Sequence, residues 1–266
     1  MPAFPILILV LLAVSLLVSA IGFKKYVWFI SLGYGFSIAA EGIAMLVMYD
    51  LTPATVILSA LFIVYGLRLS GYLAIREAKS ASYKKHMTTE IKDGATVTFG
   101  VKCAIWVTCA LLYVTQVLPV FYRLANGSAA NVMAYVGAGV MLLGLILESA
   151  ADIQKNVAKK KNPRRFVDTG LYRIVRCPNY LGEMIFWTGV FLSGIGAMSG
   201  FGQWFLAALG YAGIIFVMFS GARRLELRQN KNYGNDPEYQ AYVKRVPILL
   251  PLIPLYSVVK YKFLVA

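Results

Sequence analysis

The chain has 266 residues, 59% of them hydrophobic and 14% charged, and 26 basic against 12 acidic side chains give a formal net charge of +14. A mean hydropathy of +0.67 lies well outside the range of water-soluble domains and points to a membrane protein. Three cysteines exclude a disulfide framework, and the single histidine, His86, excludes a conventional zinc site.

In chain order, apolar runs long enough to span hydrocarbon sit at Phe4–Phe23, Tyr26–Met48, Ala54–Ile75, Val101–Phe121, Val132–Ala151, Tyr180–Met198 and Phe201–Ser220. The expected fold is therefore all-α, an integral membrane bundle of seven transmembrane helices forming one domain over residues 1–266. The first run lacks a basic leader and is followed by Lys24-Lys25, so it reads as a retained helix rather than a signal peptide. The tail Val246–Ala266 is interrupted by Pro247, Pro251 and Pro254 and reads as an interfacial segment, not an eighth span.

Basic residues set the orientation. Lys24-Lys25, Lys84-Lys85, Lys159–Lys161, Arg164-Arg165 and Arg223-Arg224 fall in loops on one side, whereas Arg123 stands nearly alone on the other. The positive-inside rule puts the N-terminus outside and the C-terminus in the cytosol, in a bacterial inner membrane or an endoplasmic reticulum membrane. The surplus charge then serves contact with anionic lipids, and with no soluble domain to present it a nucleic-acid partner is not expected. Asn126-Gly127-Ser128 forms a glycosylation sequon in the outer loop.

Several ionisable groups lie within or at the edge of the spans. Glu41 and Tyr65 flank the short outer turn around Asp50–Pro53 and fall at similar depth near the midplane of neighbouring helices. Tyr65, Arg68 and Tyr72, at i, i+3 and i+7, share one helix face leading to the cytosolic mouth. Glu148 and Asp152 form a similar edge on the fifth helix. Intramembrane carboxyls are functional by default. Arg68, by contrast, can equally be structural glue, Tyr72 can belong to an aromatic belt, and Lys159 to Arg165 can be membrane-surface charge first and phosphate ligands second. Cys177 and His86 read as bystanders. The segment Arg176-Cys177-Pro178-Asn179-Tyr180-Leu181-Gly182-Glu183 brings an amide, a phenol and a carboxylate to the point where a basic loop enters hydrocarbon. That placement is costly unless these groups pair or bind a ligand.

Three blocks carry a resemblance: Gly170-Leu171-Tyr172-Arg173, Arg176-x-Pro178-Asn179-Tyr180-x-Gly182-Glu183, and Tyr233-Gly234-x-Asp236-Pro237-x-Tyr239. Together they resemble the C-terminal half of the steroid 5-alpha-reductase family, in its bacterial-type branch, related to sterol C14-reductases and membrane enoyl reductases. The resemblance covers about residues 60–250. It divides the chain into N-terminal helices, 1–50, and a reductase-like core, 54–250, with cytosolic cofactor-binding loops. It implies a monomeric membrane oxidoreductase that reduces a C=C bond conjugated to a carbonyl in a lipophilic substrate drawn from the bilayer, with NADPH as cofactor. By motif match Glu41 and Tyr65 take the places of the pair that contacts the enone carbonyl. Asn179 and Glu183 fall where the nicotinamide end is held and Asp152 where a ribose is held. Arg68, Tyr72, Glu148, Lys159, Arg165, Tyr172, Tyr180 and Arg223 complete the implied cofactor set. The chain departs from many relatives in having Cys177 in place of a histidine, and Gln154, Lys155 and Lys159 in place of arginines. No GxGxxG fingerprint is present, so phosphate contacts fall to the basic loops. The competing reading is a membrane S-adenosylmethionine-dependent methyltransferase of the isoprenylcysteine or phospholipid type, which has a similar Arg-x-Pro-x-Tyr helix entry.

Overall fold

Hydrocarbon cannot satisfy a bare backbone, so apolar runs in a membrane chain fold as helices that bond internally. The computed structural model describes residues 5–79, 97–128 and 131–264. Lys84, Lys85 and His86 lie outside the described residues. Every regular element among the described residues is helical: α1 (Ile8–Ser19), α2 (Leu32–Met48), α3 (Pro53–Lys79), α4 (Phe99–Ala125), α5 (Val132–Lys161), α6 (Pro178–Gly194), α7 (Gly200–Tyr233) and α8 (Pro237–Arg245), with short 3-10 turns at 20–23, 26–29 and 170–173.

Among the described residues, five stretches are long and apolar enough to cross a membrane: Tyr26–Met48, Pro53–Ala78, Phe99–Ala125, Val132–Lys161 and Gly200–Tyr233. The other two expected spans are shorter as helices, Ile8–Phe23 and the 17-residue α6. At 34 residues α7 is roughly 50 Å long, well beyond a hydrocarbon core of about 30 Å, and its C-terminal turns are charged. The 30-residue α5 likewise runs on through Lys159–Lys161.

The chain divides into two compact units. The first comprises Met1–Ala138 and Val190–Tyr211. Small residues set its tightest seam: a Cβ on Gly66 would strike the Gly35 carbonyl and Ala39, and one on Gly42 would lie 2.8 Å from the Ser59 carbonyl. Helices α2 and α3 therefore pack backbone to backbone. At the end of α4, buried Arg123 donates to the Ser193 carbonyl (2.7 Å), the Ile195 carbonyl (3.1 Å) and Asn131 Oδ1 (2.9 Å). Asn126 Nδ2 donates to the Ala197 carbonyl and to Gln203, both at 2.8 Å. The sequon nitrogen is thus committed to the fold.

The second unit comprises Gly139–Gly189 and Ala212–Ala266. Helices α5 and α6 cross at Gly144 and Gly182, where a Cβ on Gly182 would sit 2.6 Å from the Glu148 backbone nitrogen. The tail is docked on its own unit. Its prolines forbid a helix, and its backbone pairs instead with the α6 entry, the Pro247 and Ile248 carbonyls accepting from the Arg176 and Cys177 N–H groups at 2.9 and 3.0 Å. Ile248, Leu249 and Val258 are fully buried, while Leu252 projects at 95% exposure.

Candidate functional site

In the first unit, Tyr34, Ile38, Glu41 and Met45 recur at helical spacing and form the buried face of α2. On α1, Leu11, Ser15 and Ser19 do the same. Ser15 donates through its hydroxyl to Glu41 Oε1, and its carbonyl accepts from Ser19 at 2.5 Å. Glu41 is fully enclosed, and its Oε2 has no hydrogen-bond partner. Gln116 on α4 is 3% exposed with neither amide atom partnered, and the Ser59 hydroxyl is equally orphaned.

Tyr65 is also fully buried, and its hydroxyl lies 2.9 Å from that of Tyr34, to which it donates. Glu41 and Tyr65 thus have different partners. Their depths follow from the glycine seam. Gly66 meets Gly35 and Ala39, and Gly42 meets Ser59, Phe62 and Ile63, so the two residues differ in depth by about one helical turn. Arg68 and Tyr72 continue the same helix half-buried, with the Arg76 guanidinium 5.5 Å from the Tyr72 ring. At that end Glu77 accepts from Lys25 at 2.6 Å and from the Trp28 indole at 3.0 Å.

In the second unit the sequence blocks acquire physical reasons. Gly170 has φ +60, and a Cβ there would strike the Gln154 side chain, whose Oε1 accepts from Leu171 N at 2.9 Å. Only glycine meets both demands without strain. Tyr172 is buried, donates to the Ala151 carbonyl at 3.3 Å and receives Tyr242 on its own carbonyl at 2.7 Å. In the last block Asp236 caps α8 by accepting from Glu238 N at 2.9 Å, and Pro237 opens the helix. Tyr239 donates to Asn230 at 2.8 Å, and burial pushes its phenol up to about 12.

The candidate cofactor residues fall into two groups. Glu148 and Glu183 are buried near the Gly144–Gly182 crossing, and Asp152 lies one turn beyond Glu148. Asn179 is half-buried with its Oδ1 enclosed and without a partner. Tyr180 packs its ring against Gly221, where a Cβ would come within 3.3 Å. The cations, by contrast, are engaged with protein oxygens. Lys159 Nζ reaches the Arg165 carbonyl (2.5 Å), the Tyr233 hydroxyl (2.8 Å) and the Pro163 carbonyl (3.2 Å). Arg165 pairs with Glu238 at 2.5 Å and Asp168 at 3.0 Å. Arg223 holds the tail through the Val259 and Leu264 carbonyls.

Sequence reasoning missed three features. Arg176 and Glu226, both almost wholly buried, form an ion pair at 3.0 Å, and Arg176 also donates to the Tyr256 carbonyl. Glu226 Oε2 accepts from Val258 N at 2.9 Å. Their separation along the chain hides that pair. Gln116 carried no signal beyond being a lone amide in an apolar run. Tyr34 did carry one, lying seven residues before Glu41 on the same face.

No curated protein and no solved structure matches the chain. Residues 16–246 match the model of the family described as Protein of unknown function (DUF1295), and the chain belongs to that family.

Proposed function

We propose that the protein is a multi-pass membrane oxidoreductase that reduces a C=C bond conjugated to a carbonyl in a lipophilic, 3-oxo-Δ4-steroid-like substrate, using NADPH. The observation that carries this reading is Glu41, a carboxyl sealed inside an apolar helix with one oxygen left without a partner. Leaving a buried polar atom unpaired costs roughly 1–3 kcal/mol, an expense a fold retains where a ligand meets the atom. A protonated carboxyl and a phenol directed at a substrate carbonyl would stabilise the charge that grows on its oxygen, each donor contributing about 2.7–4 kcal/mol in a dry site. The resemblance of the 170–183 and 233–239 blocks to steroid 5-alpha-reductases supports the same chemistry.

NADPH, when bound, supplies the hydride for the β-carbon. The residues suit it best at the nicotinamide end, where the partnerless Asn179 oxygen can accept from a carboxamide N–H. Tyr180 and Glu183 would support that end, Glu148 and Asp152 a ribose and Tyr172 the wall beside them, while Arg68 and Tyr72, in the first unit, enter on the resemblance alone. Lys159, Arg165 and Arg223 fit less well as they stand, since each would have to exchange a protein oxygen for phosphate. In this reading the chain crosses the membrane seven times with the N-terminus outside. The 17-residue α6, about 26 Å long, nearly matches the core thickness. The test is thermal stabilisation of purified protein. NADPH should raise the melting temperature and S-adenosylmethionine should not; the reverse would favour a membrane methyltransferase.

A further inference from the structure

Tyr34 belongs to no block that the resemblance draws on, yet it is the residue that meets the Tyr65 hydroxyl, at 2.9 Å. Both phenols are buried, Tyr65 completely and Tyr34 at 8% exposure. The Tyr34 ring meets Tyr65 edge-on at 6.2 Å and packs on Tyr113 at 5.2 Å. Tyr113 is itself pinned, its hydroxyl donating to the Phe29 carbonyl at 2.5 Å. A backbone carbonyl thus anchors the third ring, the third ring supports the second, and the second hydroxyl holds the first.

We propose that Tyr34 is the positioning residue for the reduction ascribed to Glu41 and Tyr65, an inference that rests on that reading. Its hydroxyl fixes the direction of the Tyr65 hydroxyl. When Tyr65 turns to donate to a substrate carbonyl, Tyr34 becomes the donor to the Tyr65 oxygen. Reversing the bond turns both hydroxyls about their C–O bonds, since each phenol hydroxyl both donates and accepts. No ring has to move. A hydroxyl that accepts one hydrogen bond donates a stronger second one, by about 10–30% in condensed-phase estimates, so the relay sharpens the donor as well as aiming it.

The test uses Tyr34→Phe, which keeps the ring and its packing on Tyr113 and removes one oxygen. In the full-length protein with NADPH and an enone, kcat should fall about tenfold while KM stays within about twofold. The same change made in a Tyr65→Phe background should cost nothing further, because the hydroxyl it serves is gone. A second readout needs no turnover: 3-fluorotyrosine placed at position 65 should shift its fluorine resonance when Tyr34 becomes Phe. An active wild type with an unmoved resonance, or with equal losses in both backgrounds, overturns this inference alone. A wild type inert towards every enone overturns the reductase reading and this inference with it.

Discussion

Two buried glutamates, one in each unit, stand in opposite conditions. Glu226, 3% exposed, has both oxygens met, one by Arg176 at 3.0 Å and the other by the Val258 N–H at 2.9 Å. Glu41, fully enclosed, has one oxygen on Ser15 and the other on nothing. The first carboxylate is surrounded by the groups it was folded to hold. It fastens the tail to the α6 entry and leaves no valence for a ligand. The second is buried at a cost the fold does not recover. Burial alone therefore does not mark a working residue; the difference lies in whether the polar atom is satisfied.

Breaking the Arg176–Glu226 pair should have the largest effect. Arg176→Ala leaves Glu226 buried without its cation and should destabilise the protein by about 3–5 kcal/mol, whereas Arg176→Met with Glu226→Leu should cost less than either single change. Unfolding followed by helical circular dichroism in detergent would show this, and a neutral Arg176→Ala would contradict it. At Glu41 the balance should invert. Glu41→Gln should leave stability within about 1 kcal/mol while lowering enone turnover, and Glu41→Ala should lower turnover further. Tyr65→Phe should lower turnover about 10²–10³-fold with little change in NADPH affinity. Asn179→Ala, in the second unit, should weaken NADPH about tenfold by calorimetry, the loss of one good polar contact. The smallest effect concerns Cys177, which burial pushes up to about 12. A raised thiol stays protonated in the fold, so its share of stability is whole below about pH 8.5 and is lost as pH rises towards 12. Maleimide labelling at pH 8 should spare Cys177 in the folded protein and reach it in the unfolded one.

The apolar runs were legible as helices because composition and length suffice. Val132–Ala151 and Phe201–Ser220 underestimated α5 and α7, since hydropathy falls silent where a helix leaves hydrocarbon and continues on charged residues such as Lys159 or Arg223. Proline positions announced that the tail would not be a helix, but not that its carbonyls would bond to Arg176 and Cys177. At the site, helical spacing and the apolar surroundings singled out Glu41 and Tyr65. Their partners, Ser15 and Tyr34, depend on how three helices are rotated about their axes, which spacing within one helix does not encode. The Gly170 and Asp236 blocks, legible as motifs, prove to have local reasons of their own in a positive φ and a helix cap.

The central claim is that the orphaned carboxyl of Glu41 and the Tyr65 phenol meet a lipid enone reduced by NADPH. The most direct measurement is a mass-spectrometric turnover screen of the purified protein with NADPH over a panel of Δ4-3-ketosteroids and enoyl lipids, run beside Tyr65→Phe. The account predicts at least one product heavier by two hydrogens in the wild type and its near disappearance in the variant. Equal product from both proteins, or none from either while S-adenosylmethionine stabilises the fold, would contradict it.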